Sequence, residues 1–98
     1  MGKTVIFTPE ARVHFLAIAN YLEENFSETA AENFVKAVDA AVEKIATHPV
    51  SYPVTASDPA VHFFRMDQHR RIFYEETERE IRVLAIFDTR QDPSKSPY

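Results

Sequence analysis

Two amphipathic stretches sit side by side in this chain with almost nothing between them. In the first, Ala11, Phe15, Ile18 and Leu22 recur at helical spacing between about Pro9 and about Asn25, making one apolar stripe. Ala19 and Phe26 extend that stripe, while Arg12, Asn20, Glu23 and Glu24 fall mainly on the other side. The second stretch runs from the Ser27 region to about Thr47, with Ala31, Phe34/Val35, Val38, Ala41/Val42 and Ile45 as its stripe. A link this short forces two helices into an antiparallel hairpin. Two stripes facing the same way then need a further apolar layer to cover them.

The ends of both helices are written locally. Thr8 is a good N-cap, Pro9 suits the first helical position, and Glu10 lies near the positive end of the helix dipole. For the second helix, Ser27 and a Thr29-Ala-Ala-Glu32 capping box are alternative starts. His48-Pro49 stops it.

The covering layer is a sheet. Thr4–Phe7 is β-branched and aromatic and reads as a short strand. Residues 49–59 carry three prolines and read as a loop. Val61–Met66, Arg70–Glu76 and Ile81–Phe87 follow as strands separated by short polar turns, hence an antiparallel meander, with Ile81, Val83, Ala85 and Phe87 expected on one face. The reading is a single α+β domain over residues 1–98 in the order β-α-α-β-β-β, with the helical hairpin packed on one face of a small, mainly antiparallel sheet. The first strand is expected at an edge, and a parallel pairing there would make the hairpin a crossover connection. Residues 89–98 read as an irregular tail.

Several chemistries are excluded. There is no cysteine, so disulfides and thiolate metal sites are out. His14, His48, His62 and His69 show no ligand spacing, so neither metal nor cofactor is expected. Gly2 is the one glycine, which rules out a Gly-rich phosphate loop. No apolar run approaches the ~20 residues of a membrane span, and the first residues lack a signal-peptide core; a cytoplasmic protein is expected. Net charge is −4, unevenly spread: residues 1–59 hold four Lys/Arg against eight Asp/Glu, whereas residues 60–98 hold seven of each. Six of the seven arginines lie in that second part. A polyanion would therefore be drawn only to a local arginine cluster, and sequence-specific nucleic-acid binding is not expected.

A family resemblance rests on landmarks in order along the chain. Val5-Ile-Phe-Thr-Pro-Glu-Ala11 is similar to the opening strand and Pro-x-Ala helix start of the small RelE/ParE toxins. Phe15, Ile18 and Tyr21-Leu22 resemble their first-helix pattern, and Ile45-Ala-Thr-His-Pro49 their helix end. Phe64-Arg65, Arg71-Ile-Phe-Tyr74, Ile81-Arg-Val-Leu-Ala-Ile86 and Arg90 resemble their sheet signature. The long hairpin, the acidic charge and the lack of a convincing catalytic tail place the chain nearer the ParE branch.

The resemblance implies a toxin of a type II toxin–antitoxin pair that poisons DNA gyrase without catalysis of its own and is neutralised by a cognate antitoxin. An antitoxin segment would lay apolar residues in a groove between hairpin and sheet, or add to a sheet edge. Arg65, Arg71, Arg82 and Arg90 are the candidates to meet its acidic residues. In the ribonuclease branch, sheet arginines hold the scissile phosphate; Arg65, Arg90 and the terminal Tyr98 would then be the catalytic set. A third alternative is a non-toxic binding module of the same fold. Homodimer and toxin–antitoxin hetero-oligomer both stay open. The residues themselves also allow plain structural roles: Arg65 paired with a helix carboxylate, and Arg71 with Glu75 in a cross-strand charge network.

Overall fold

A computed structural model describes residues 3–90 and 96–98 of the chain. Strand β1 spans Thr4–Phe7, helix α1 Pro9–Asn25 and helix α2 Glu28–Thr47, followed by a 3-10 turn at Pro49–Ser51. Strands β2 (His62–Arg65), β3 (Arg70–Glu76) and β4 (Glu80–Asp88) complete the sheet. The sheet order is β1-β4-β3-β2. β1 lies at an edge, parallel to β4, and the other two pairings are antiparallel. The expected α+β architecture is therefore the one formed. Of the expected tail, residues 91–95 lie outside the described residues, and residues 96–98 form no regular element.

Local chemistry sets the helix boundaries. Thr8 Oγ1 accepts from Ala11 N (3.2 Å) and Pro9 opens α1. Of the two candidate starts for α2, Ser27 is the cap: its Oγ accepts from Ala30 N at 3.0 Å. One core fills the space between hairpin and sheet, built from Ala11, Ile18 and Leu22 of α1, Phe34, Val38, Ala41 and Ile45 of α2, and Ile72, Tyr74, Ile81, Val83 and Ile86 of the sheet. Phe26 does not extend the α1 stripe. It stands 63% exposed beyond the helix end, edge-on to Tyr21. Among the described residues no helix is long and apolar enough to cross a membrane.

The expected face of β4 is corrected. Tyr74 pairs with Val83 but Phe73 pairs with Ala85, so Leu84 is an extra residue, a β-bulge. A bulge breaks the two-residue alternation of side chains. Ile81 and Val83 thus face the helices, as does Ile86, whereas Ala85 and Phe87 turn to the open face. Helix α1 secures the irregular stretch. Thr8 N donates to Val83 O (3.0 Å), Thr8 Oγ1 donates to Leu84 O (3.3 Å), and His14 Nδ1 accepts from Ile86 N (3.3 Å). These bonds satisfy the backbone groups of β4 beyond the last residue of β1.

Candidate functional site

The open face carries a second, smaller apolar group. Val61, Phe73 and Ala85 are buried there, with Phe63, Leu84 and Phe87 packed around them. Arg65 ends β2 directly opposite Arg71 of β3, so these two guanidinium-bearing residues share the open face. Arg71 stands over the Phe63 ring, 5.1 Å from its centroid, within cation–π range. Tyr98 packs against Phe73 with ring centroids 5.1 Å apart. A hollow of about 430 Å³ lies here, lined by Ser57, Phe63, Arg71, Phe73 and Tyr98 among others. Among the described residues, neither Arg65 nor Arg71 makes an ion pair. Two structural expectations are corrected. Arg65 points away from the helices, and Glu75 pairs not with Arg71 but with Arg82 of the neighbouring strand, at 3.3 Å. Glu80 also lies near Arg82, at 3.9 Å.

Arg90 is elsewhere. It leaves β4 on the helix side, where its Nη2 donates to Asp88 Oδ2 (3.0 Å) and its Nε and backbone N to Asp88 Oδ1 (3.2 and 2.9 Å). Asp88 also accepts from Arg70 Nε at 3.2 Å. Arg70 reaches on to Asp67 in the β2–β3 turn (3.1 Å) and lies over the Phe34 ring of α2. Burial alone would raise the Asp88 pKa. The hydrogen bonds from the Arg90 side chain and backbone, with the charges of Arg90 and Arg70, outweigh it and hold the carboxyl below its ordinary value. Asp67 is lowered in the same way, burial being overcome by backbone donors at His69 and Arg70 and by the arginine charges. Tyr21, Phe26, Asp88 and Arg90 line a hollow of about 440 Å³ at this end of α1.

The four arginines expected to meet one partner are thus divided. Arg65 and Arg71 are together, Arg82 is on the same face but held by carboxylates of its own sheet, and Arg90 is turned to the opposite side by Asp88. The conditional catalytic set is divided too. Tyr98 sits on Phe73 of the open face, and Arg90 does not share it. Arg70, Asp67 and Asp88 form a chain of ion pairs that nothing local in the sequence marks. Counting back from the β3–β4 turn would set Arg70 opposite Phe87, and only the Leu84 bulge brings Asp88 into that position.

The two sheet edges differ. Residues 53–55 cover β2: Thr55 N donates to Val61 O (2.7 Å) and Phe63 N to Pro53 O (2.9 Å). β1 has β4 on one side, and no strand of the described residues on the other. Beside it lies a groove of about 510 Å³ between β1 and the helical hairpin, walled by Val5, Ile6, Phe7, Phe15, Leu16 and Val38, with Arg12 and Asp39 also lining it. Three of the four histidines have structural contacts. His14 supports the bulge, His48 caps α2, and His62 stacks on Tyr74 while its Nδ1 meets Tyr52 O at 2.8 Å. Among the described residues no three His, Asp or Glu side chains gather as a metal site would require.

Comparison with known proteins follows the same lines. A search of curated proteins by sequence found no match. Solved structures of the same fold include a chain of the chromosomal ParDE toxin–antitoxin system from P. aeruginosa, at TM-score 0.64 and 18% identity, covering 88% of this chain and 95% of that one. Another is from the RelBE2 toxin–antitoxin complex of Mycobacterium tuberculosis, at TM-score 0.65 and 15% identity over 90% of this chain and 99% of that one. The YoeB dimer from Staphylococcus aureus matches at TM-score 0.61 and 13% identity, over 89% and 97%. The family model for the ParE toxin of the type II toxin–antitoxin system parDE matches residues 5–93. With that match spanning nearly the whole described chain, from β1 through the strand bearing the bulge, this protein belongs to the ParE toxin family of type II toxin–antitoxin systems.

Proposed function

We propose that this toxin arrests growth from within the cytoplasm by binding DNA gyrase engaged on DNA and trapping the cleaved intermediate, with no covalent chemistry of its own. The supporting observation is the separation of Arg90 from Arg65 and Tyr98. Phosphoryl transfer needs its cation and its proton-handling group converged on one phosphate, and Asp88 holds Arg90 on the far side of the sheet. The test uses purified gyrase. Inhibited supercoiling and accumulation of cleaved DNA are expected; unchanged gyrase activity at saturating toxin sinks the reading.

A ribonuclease reading is favoured by one observation, that Arg71 and Tyr98 line the same open-face hollow. It requires mRNA cleavage that is lost on Arg65→Ala or Arg71→Ala. Expression in a sensitive host separates both readings from a non-toxic binding module.

The antitoxin has two places to go. An extended segment fits the free edge of β1, with apolar side chains in the groove alongside. Acidic residues of the antitoxin fit the sheet arginines, above all Arg65 and Arg71, since Arg82 and Arg90 already face carboxylates of their own chain.

A further inference from the structure

β1 leaves one edge of the sheet without a neighbouring strand among the described residues. The opposite edge of the sheet is protected by residues 53–55, with Pro53 among them. β1 itself has no such guard: Thr4–Phe7 contains no proline, no charge and no bulge. Unguarded edges template pairing with another strand. Exposed apolar side chains lie at the groove beside it, with Ile6 38% and Leu16 57% exposed. The groove at its flank is lined by both a cation and an anion, Arg12 from α1 and Asp39 from α2, and these two make no salt bridge with each other or with another described residue.

We propose that, when no antitoxin is bound, two copies of this chain pair through antiparallel β1 strands, joining their sheets and setting Arg12 of each copy against Asp39 of its partner. A two-fold interface must carry its own complement, because the same patch meets itself. A groove with one charge of each sign satisfies that condition; one with two like charges would not. The faces limit the register. Val5 and Phe7 pack toward the core and Ile6 toward the open face. Directly opposed residues of an antiparallel pair share a face, a condition met when Ile6 is set against Ile6 of the partner and Val5 against Phe7. The helices of both copies then lie on the same side of the joined sheet, where the two grooves meet. The inference goes beyond the choice of target, since it rests on the edge and groove alone. It makes self-pairing and the antitoxin strand rivals for one surface.

Sedimentation equilibrium of the antitoxin-free chain tests it. The wild type should sediment at twice its 11.3 kDa chain mass. Arg12→Asp and Asp39→Arg should each weaken association by about tenfold or more, as expected when like charges are set against each other, and the Arg12→Asp/Asp39→Arg double variant should recover it. Circular dichroism of each variant shows that the fold is kept, and Ile6→Lys offers an independent break of the same edge. The proposal is overturned if the wild type stays at chain mass at high concentration. It is equally overturned by a dimer that none of these variants loosens, or by a double variant as weak as the single ones. A chain that stays single and completes its edge only with antitoxin assigns the surface to the antitoxin alone.

Discussion

Arg70 and Asp88 meet across adjacent antiparallel strands, guanidinium Nε 3.2 Å from carboxylate oxygen, with both side chains largely withdrawn from solvent. Through this pair β3, β4, the β2–β3 turn and α2 are tied together, because Arg70 also bonds Asp67 and covers Phe34. Removing one member of a buried pair leaves the other charge unsolvated and unpaired. Asp88→Ala should therefore cost about 3 kcal/mol. Arg90→Ala, which removes a half-exposed partner of the same carboxylate, should cost under ~1 kcal/mol. Thermal unfolding of the two variants checks the ranking; equal losses would show that the Arg70 bond is not the dominant one.

The same carboxylates set an acid limit. Asp88 and Asp67 are held below their ordinary pKa in the folded protein. Between the lowered folded values and the ordinary unfolded one, the unfolded chain binds more protons than the native one, so stability falls as the pH falls. Their contribution is complete above the unfolded value, roughly 3.9, and disappears as pH drops through the lowered folded values. Urea unfolding at neutral pH and near pH 3 should show this loss, with Asp88→Asn showing a smaller pH dependence than the wild type.

Tyr74 should resist ionisation in alkaline solution. Burial, followed by the neighbouring Tyr52 and Glu76, raises its pKa well above the ordinary phenol value. Its hydroxyl donates to Pro49 O at 2.6 Å, tying the sheet to the turn after α2. Tyr74→Phe should cost about 1–2 kcal/mol by leaving that carbonyl short of a donor. An ultraviolet alkaline titration and a denaturant melt address the two statements separately.

Deleting Leu84 should be tolerated better than deleting Ile72. Leu84 is the unpaired residue of the bulge, so its removal restores a regular ladder and leaves Val83 facing in and Ala85 facing out. The expected result is a folded chain with a lowered melting temperature, the loss coming from the altered twist and the Thr8–Leu84 bond. Loss of Ile72 instead inverts one part of β3 relative to its neighbours, which moves apolar side chains to water, and should prevent folding. Circular dichroism and proton NMR dispersion distinguish these outcomes.

Charge reversal at the open-face pair bears on the antitoxin. Arg65→Glu with Arg71→Glu should slow association with an acidic antitoxin by roughly tenfold at low salt, with a smaller effect as salt rises. An unchanged association rate would remove these two residues from the contact.

Much of the architecture is legible along the chain because it depends on near neighbours. Thr8 and Ser27 act through bonds spanning three residues, Pro9 through its fixed φ, and the helix stripes follow from a fixed 3.6-residue period. The short link between the helices leaves only a hairpin, and the hairpin needs a sheet. Tertiary structure decided the rest. Nothing local marks Leu84 as an extra residue, since its two-against-one pairing exists only once β3 lies beside β4 and Thr8 and His14 satisfy the backbone around it. That single irregularity turns Ala85 and Phe87 outward and Asp88 inward onto Arg70. Asp88 then takes Arg90 to the helix side, away from Arg65 and Arg71. Local preferences act over a few residues, whereas which face a guanidinium occupies depends on strand register, and register is fixed by contacts between residues far apart in the chain.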